Sequence, residues 1–147
     1  MARRPLPEDF REFIRLLNAN EVRYLLVGGW AVGLYGYPRM TKDMDFLIAI
    51  DPQNLRRMTK ALSDFGGPTA EAGQLSKPGS VFRMGSPPLQ IDIINQATGI
   101  VFDECYRRRS LVRVGDVEVA VISKEDLVRN KRASGRTQDQ ADAEKLE

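Results

Sequence analysis

"VGGWAVGLYGYPRMTKDMDFLI", residues 27–48, decides how the whole chain is read. Gly28 and Gly29 follow a short apolar run, and thirteen residues beyond them Asp43 and Asp45 stand in a stretch that is otherwise apolar. "VRYLLVGG" suits a buried strand that the glycines end, and "WAVGLYG" can make about two helical turns before Pro38 stops it. On a strand beginning at Asp43, side chains two residues apart leave the same face. The two carboxylates then lie together, and Met44, Phe46 and Ile48 pack behind them.

A third acid has the same setting. Asp92, in "LQIDIIN", is flanked by isoleucines, and a carboxylate buried there is costly unless it is paired or faces an open surface. If its strand neighbours the first, three carboxylates converge. Like charges held close raise one another's pKa, and clustered carboxylate oxygens are preferred ligands of Mg²⁺ or Mn²⁺. Two such ions bridged by acids activate an attacking oxygen and stabilise a leaving pyrophosphate. Glycine N–H groups at a helix start, with no side chain in the way, can approach phosphate closely. Taken singly, a Gly-Gly pair is an ordinary turn and an Asp-x-Asp an ordinary solvated edge. Their order and spacing, with Asp92, favour phosphoryl chemistry.

Composition narrows the classes. The chain has no histidine, which removes Ser-His-Asp and Cys-His catalysis and histidine-based zinc sites. Lys and Arg number 22 against 20 Asp and Glu, a net charge of +2, so there is no general polyanion-binding signature. A single cysteine, Cys105, excludes an internal disulfide and implies a reducing compartment. "MARRPLPEDF" has no apolar segment behind its basic residues, and no apolar run approaches the roughly 20 residues that span a bilayer. The expectation is a cytoplasmic protein without membrane contact.

At 147 residues one domain is expected, with a catalytic core over 1–122 and C-terminal helices over 123–147. "PEDFREFIRLLNAN" spaces Phe10, Phe13, Ile14 and Leu17 as an amphipathic helix. "DPQNLRRMTKALSDFGG" has Asp51 as N-cap, Pro52 at the first position and glycines past its end. "GPTAEAGQLSKPGS" has loop composition, "VFRMG" and "LQIDIIN" are strands, and "LVRVGDVEVAVI" is a hairpin about Gly115–Asp116. "SKEDLVRNKRASGRTQDQADAEKLE" opens with a capping-box-like Ser123 and Asp126 and holds two helices divided near Gly135. The fold class is α/β (α+β): a small mixed sheet with helices packed on one side and a short C-terminal helical tail.

"VGG", then "DMDF" after this gap, then "IDII", resembles the polymerase-beta-type nucleotidyltransferase superfamily. "GGWAVGLYGYPRMTKDMDFLI" together with the ending "LVRNKRASGRTQDQAD" is most similar to the abortive-infection (AbiEii-type) toxin nucleotidyltransferases and their small stand-alone relatives. The resemblance runs from Val22 to Leu146. It implies the nucleotidyltransferase fold and Mg²⁺- or Mn²⁺-dependent transfer of a nucleoside monophosphate from an NTP to an acceptor hydroxyl.

By that resemblance Gly28 and Gly29 hold the triphosphate, Asp43 and Asp45 bind both metals, and Asp92 completes the metal site and can accept the acceptor's proton. Arg39, Thr41 and Lys42 lie where the family's loop passes the phosphates. Lys131 corresponds to a late catalytic lysine, and Arg136, Asp139 and Asp142 to a following Arg-Asp-x-x-Asp element, although Thr137 and Gln138 separate Arg136 from Asp139. If its helix folds back over the strand face, Lys131 reaches the triphosphate, and its truncation costs turnover rather than stability.

Plainer readings stand beside these. Lys131, Arg132 and Arg136 also suit a solvated helix face, and Arg107 to Arg109 suit surface. Trp30 and Tyr35 can stack on a base or fill core, and Cys105 suits a small buried hydrophobe. The acceptor stays open among tRNA or another RNA end, a protein hydroxyl and a small hydroxylated compound, since antibiotic-modifying relatives share "GGW". A toxin–antitoxin or phage-defence setting, a cognate partner protein and a homodimer are all compatible with the resemblance. So is an NTP-sensing or partner-binding module that has lost turnover.

Overall fold

The computed structural model describes residues 7–37, 43–67, 72–86 and 89–147. Six strands form one sheet, β1 Tyr24–Val27, β2 Asp43–Ile48, β3 Val81–Ser86, β4 Leu89–Ile94, β5 Ser110–Val114 and β6 Val117–Val121, in the order β3-β4-β2-β1-β6-β5. The pairs β1–β2, β3–β4 and β5–β6 are antiparallel, while β2–β4 and β1–β6 are parallel. The sheet is therefore mixed, as the alternation of hairpins and helical crossovers implies. Among the described residues six α-helices accompany it: α1 Glu8–Ala19, α2 Gly28–Leu34, α3 Pro52–Phe65, α4 Phe102–Arg107, α5 Lys124–Ser134 and α6 Thr137–Leu146.

Local chemistry sets the boundaries. In α1, Phe10, Phe13, Ile14 and Leu17 form the buried stripe, and Glu8 and Asp9 complement the helix dipole in the first turn. The Asp51 carboxylate accepts from the Asn54 N–H at the start of α3, with Pro52 in the first turn. Gly66 ends that helix in the left-handed region at φ +83°. Ser123 caps α5 by accepting from the Asp126 N–H, and Gly135, at φ +75°, divides α5 from α6.

One face of the sheet is aromatic core. Phe13 packs at 5.4 Å on Phe46 and 5.1 Å on Phe65, and Tyr24 meets Phe46 at 5.6 Å, separations at which ring edges and faces attract. Trp30 is buried with its ring edge-on to Phe10, and the Tyr35 hydroxyl donates to the Ile122 carbonyl. Both aromatics serve the core reading, not a base platform. Cys105 is likewise buried, and burial pushes its thiol pKa up.

The segment of loop composition before β3 contains a 3-10 helix, Ala72–Ser76, that inserts Leu75 into the core. Helix α4 falls where no regular element was expected, because six residues are too few to display a helical period. Arg108, expected at the surface, makes a two-pronged contact with buried Asp126, 3.0 Å at each prong, and so anchors the first turn of α5. Among the described residues no helix is long and apolar enough to cross a membrane.

Candidate active site

Strand register brings the acids together. Asp45 and Asp92 are direct partners on the neighbouring parallel strands β2 and β4, and Asp43 is paired with Gln90. Adjacent strands lie about 4.8 Å apart, so the Asp45 and Asp92 side chains rise from one face as neighbours. Across the next two pairings, Arg83 of β3 stands opposite Asp92 and Val27 of β1 opposite Asp45. One row of the sheet thus reads Arg83, Asp92, Asp45, Val27, and the glycine turn follows directly on Val27.

The turn is fitted to the acid. Gly28 has φ +71°, and a Cβ placed on it would lie 2.4 Å from Asp45 Oδ2. Only glycine satisfies both conditions. Burial pushes the Asp45 pKa up to about 6, with Asp92 and Asp43 adding repulsion and Lys131 and Arg83 partly relieving it. The carboxylate is held where its charge is disfavoured, a disfavour that a cation at this place would remove.

Asp92 is nearly buried and held by a fork: Arg83 Nε donates to Oδ1 at 2.9 Å and Nη2 to Oδ2 at 3.2 Å. Gln90 Nε2 adds a contact at 3.3 Å. As these side chains stand, no three carboxylates or thiols among the described residues gather closely enough to hold one ion. The donor set nonetheless fits a hard divalent cation: it is all carboxylate, and its central member is held where its charge is disfavoured, beside a turn that carries no side chain.

The C-terminal helices build a second charged cluster. Lys131 is 5% exposed, with its Nζ 3.0 Å from Asp139 Oδ1 and 3.4 Å from Asp142 Oδ2. Burial opposes the charged form of Asp139, but hydrogen bonds from Ser134 and Lys131, the Lys131 charge and Arg136 outweigh it and lower its pKa to about 2. Arg136, mostly exposed, reaches Asp139 Oδ2 through Nε at 2.8 Å, and Gln138 holds Asp142 at 3.0 Å. Arg132 pairs instead with Glu147 on the helix surface.

Of the residues expected at the site, Gly28, Asp43, Asp45 and Asp92 come together on one face, and the positive charge of Lys131 acts on Asp45. Gly29 is buried one residue further into α2. Arg136 and Asp139 belong to the ion cluster around Lys131 rather than to the acid row. Arg39, Thr41 and Lys42 lie outside the described residues. Sequence reading missed Arg83 and Gln90. The available signal was parity: Gln90 lies two residues before Asp92 and so shares its face, and Arg83 sits on a strand read as the neighbour of "LQIDIIN".

Known structures repeat this architecture. A Thermotoga maritima protein put forward as a nucleotidyltransferase superimposes with a TM-score of 0.65 at 15% identity, over 97% of this chain and 94% of that one. The lincosamide antibiotic adenylyltransferase LnuA, solved with lincomycin bound, gives 0.56 at 18% identity over 97% and 96%. The antibiotic-resistance factor ANT(2'')-Ia gives 0.57 at 11% identity over 94% and 80%. At such identities the likeness speaks for the fold alone. No curated protein matches the sequence. A family model does match, over residues 7–147, and by it the chain belongs to the family described as "Nucleotidyltransferase of unknown function (DUF6036)".

Proposed function

We propose that this protein transfers a nucleoside monophosphate from an NTP to an acceptor hydroxyl. The observation that carries the reading is the pairing of Asp45 with Asp92 on adjacent strands, with Gly28 pressed against Asp45. A pair of Mg²⁺ or Mn²⁺ ions, when bound, would supply the positive charge that activates the attacking oxygen and stabilises the departing pyrophosphate. Asp43 and Asp45 would hold both ions and Asp92 the one nearer the acceptor. Gly28 and Gly29 would receive the triphosphate on their backbone N–H groups, aided by Arg39, Thr41 and Lys42.

In the reaction the acceptor oxygen forms a bond to the α-phosphorus as the bond to the bridging α–β oxygen breaks. The hydroxyl proton passes to Asp92, and pyrophosphate leaves. Lys131, fixed by Asp139 and Asp142, would act as a positive charge near Asp45, while Arg136, mostly exposed beside Asp139, would meet nucleotide phosphate.

The similarity of "GGWAVGLYGYPRMTKDMDFLI" and "GRTQDQAD" to the abortive-infection toxins favours an RNA end or a partner protein as acceptor, in a toxin–antitoxin or phage-defence setting in the cytoplasm. A small hydroxylated acceptor is the second reading. It is favoured by the "GGW" of Gly28, Gly29 and Trp30, which antibiotic-modifying members of the superfamily share. Incubating the purified protein and Mg²⁺ with each α-³²P NTP plus total tRNA, cell protein or a panel of hydroxylated antibiotics tests both. Label on one acceptor class, lost in Asp45→Asn, names the substrate. No label on any of them overturns the transferase reading in favour of a binding module.

A further inference from the structure

Arg83 is the feature that the transfer reaction does not use. It lies on β3, an outermost strand of the sheet, with its side chain 60% exposed, yet its guanidinium turns inward onto a carboxylate only 8% exposed. The contact is a two-pronged fork on Asp92, and the same guanidinium acts on Asp43 and Asp45. A planar fork of this kind occupies both carboxylate oxygens and carries a fixed positive charge. A divalent ion ligated by Asp92 needs those oxygens and is repelled by that charge. Arg83 and a metal therefore compete for one ligand.

The competition has a natural release. An incoming triphosphate offers anionic oxygens that suit a guanidinium as well as a carboxylate does. Because Arg83 is anchored on an edge strand and largely solvated, its head can leave Asp92 without disturbing the core. We propose that Arg83 is an exchangeable counter-ion that caps Asp92 until NTP phosphates draw it away, so that the third carboxylate becomes a metal ligand only once nucleotide has arrived. The proposal rests on the metal-dependent reading of the acid row. Its consequence is a coupling free energy between nucleotide and metal, which by linkage is reciprocal.

Mn²⁺ titrations followed by electron paramagnetic resonance, with and without each of the four α,β-methylene NTP analogues, read this coupling directly. For the wild-type protein an analogue should tighten Mn²⁺ binding about tenfold. Arg83→Gln removes the cap, so Mn²⁺ should bind about fivefold or more tightly without nucleotide, and the gain on adding the analogue should shrink by the same factor. Arg83→Lys keeps the charge but loses the fork and should fall between the two. Thermal unfolding of each variant shows that the fold is kept, and a purely structural Arg83 would weaken Mn²⁺ binding when lost. Equal or weaker nucleotide-free affinity in Arg83→Gln overturns the proposal while leaving the metal site standing. Wild-type protein that binds no Mn²⁺ even with an analogue overturns the metal reading, and the counter-ion role falls with it.

Discussion

Gly28, the first residue of α2, faces Asp45 of β2: a Cβ on Gly28 would sit 2.4 Å from Asp45 Oδ2. Gly28→Ala therefore meets two penalties at once, the clash and a φ of +71°. A left-handed alanine alone costs about 1–2 kcal/mol. The expected outcome is a loss of about 2–4 kcal/mol in denaturant unfolding, with Asp45 displaced and nucleotide transfer abolished. A variant of wild-type stability would show that the turn has slack.

Asp45 should trade stability for function. Its folded pKa of about 6 lies above its ordinary value of 3.8, so below pH 4 the group is protonated in both states and costs nothing. As pH rises from 4 to 6 the unfolded chain loses this proton first, and the metal-free fold is destabilised. Asp45→Asn should remove that loss and make the metal-free protein more stable at pH 7 by about 1–3 kcal/mol, while transfer falls by several orders of magnitude. Thermal melts of both proteins across pH 4–7 in chelator check the sign. A less stable Asn variant at pH 7 refutes it.

Lys131 behaves differently from an exposed helix lysine. The sequence reading has its truncation sparing stability, but the side chain is buried between Asp139 and Asp142. Lys131→Met leaves two buried carboxylates short of their cation and should cost about 3–5 kcal/mol. Adding Asp139→Asn should recover part of that loss, a non-additivity that a double-mutant cycle measures. A neutral single variant would mean that the helices open in solution.

Asp139 sets a limit on the acid side. Its folded pKa of about 2 lies below the ordinary 3.8, so its contribution is fully present above pH 4 and is lost as pH falls toward 2. Wild-type protein should lose up to about 2 kcal/mol over that window through this group. In Asp139→Asn the acid limb of the stability curve should be shallower. Unfolding measured at pH 2, 3, 4 and 5 on both proteins decides it.

Much of this was legible because it is local. Strand parity alone puts Asp43 and Asp45 on one face with Met44 and Phe46 behind, and glycine chemistry ends β1 and begins a turn wherever the chain goes next. Asp51, Pro52, Ser123 and Gly135 mark helix ends by interactions within a few residues of themselves, so they too can be read in order along the chain. Pattern could not say which strands lie side by side. That Asp92 stands opposite Asp45, that Arg83 stands opposite Asp92 and closes on it, and that Lys131 is sealed beneath α6 all follow from register and helix docking. These contacts join residues distant in the chain, and their geometry is set by how the whole core packs. The acids were therefore visible in the sequence, whereas the charges that restrain them were decided only by the tertiary structure.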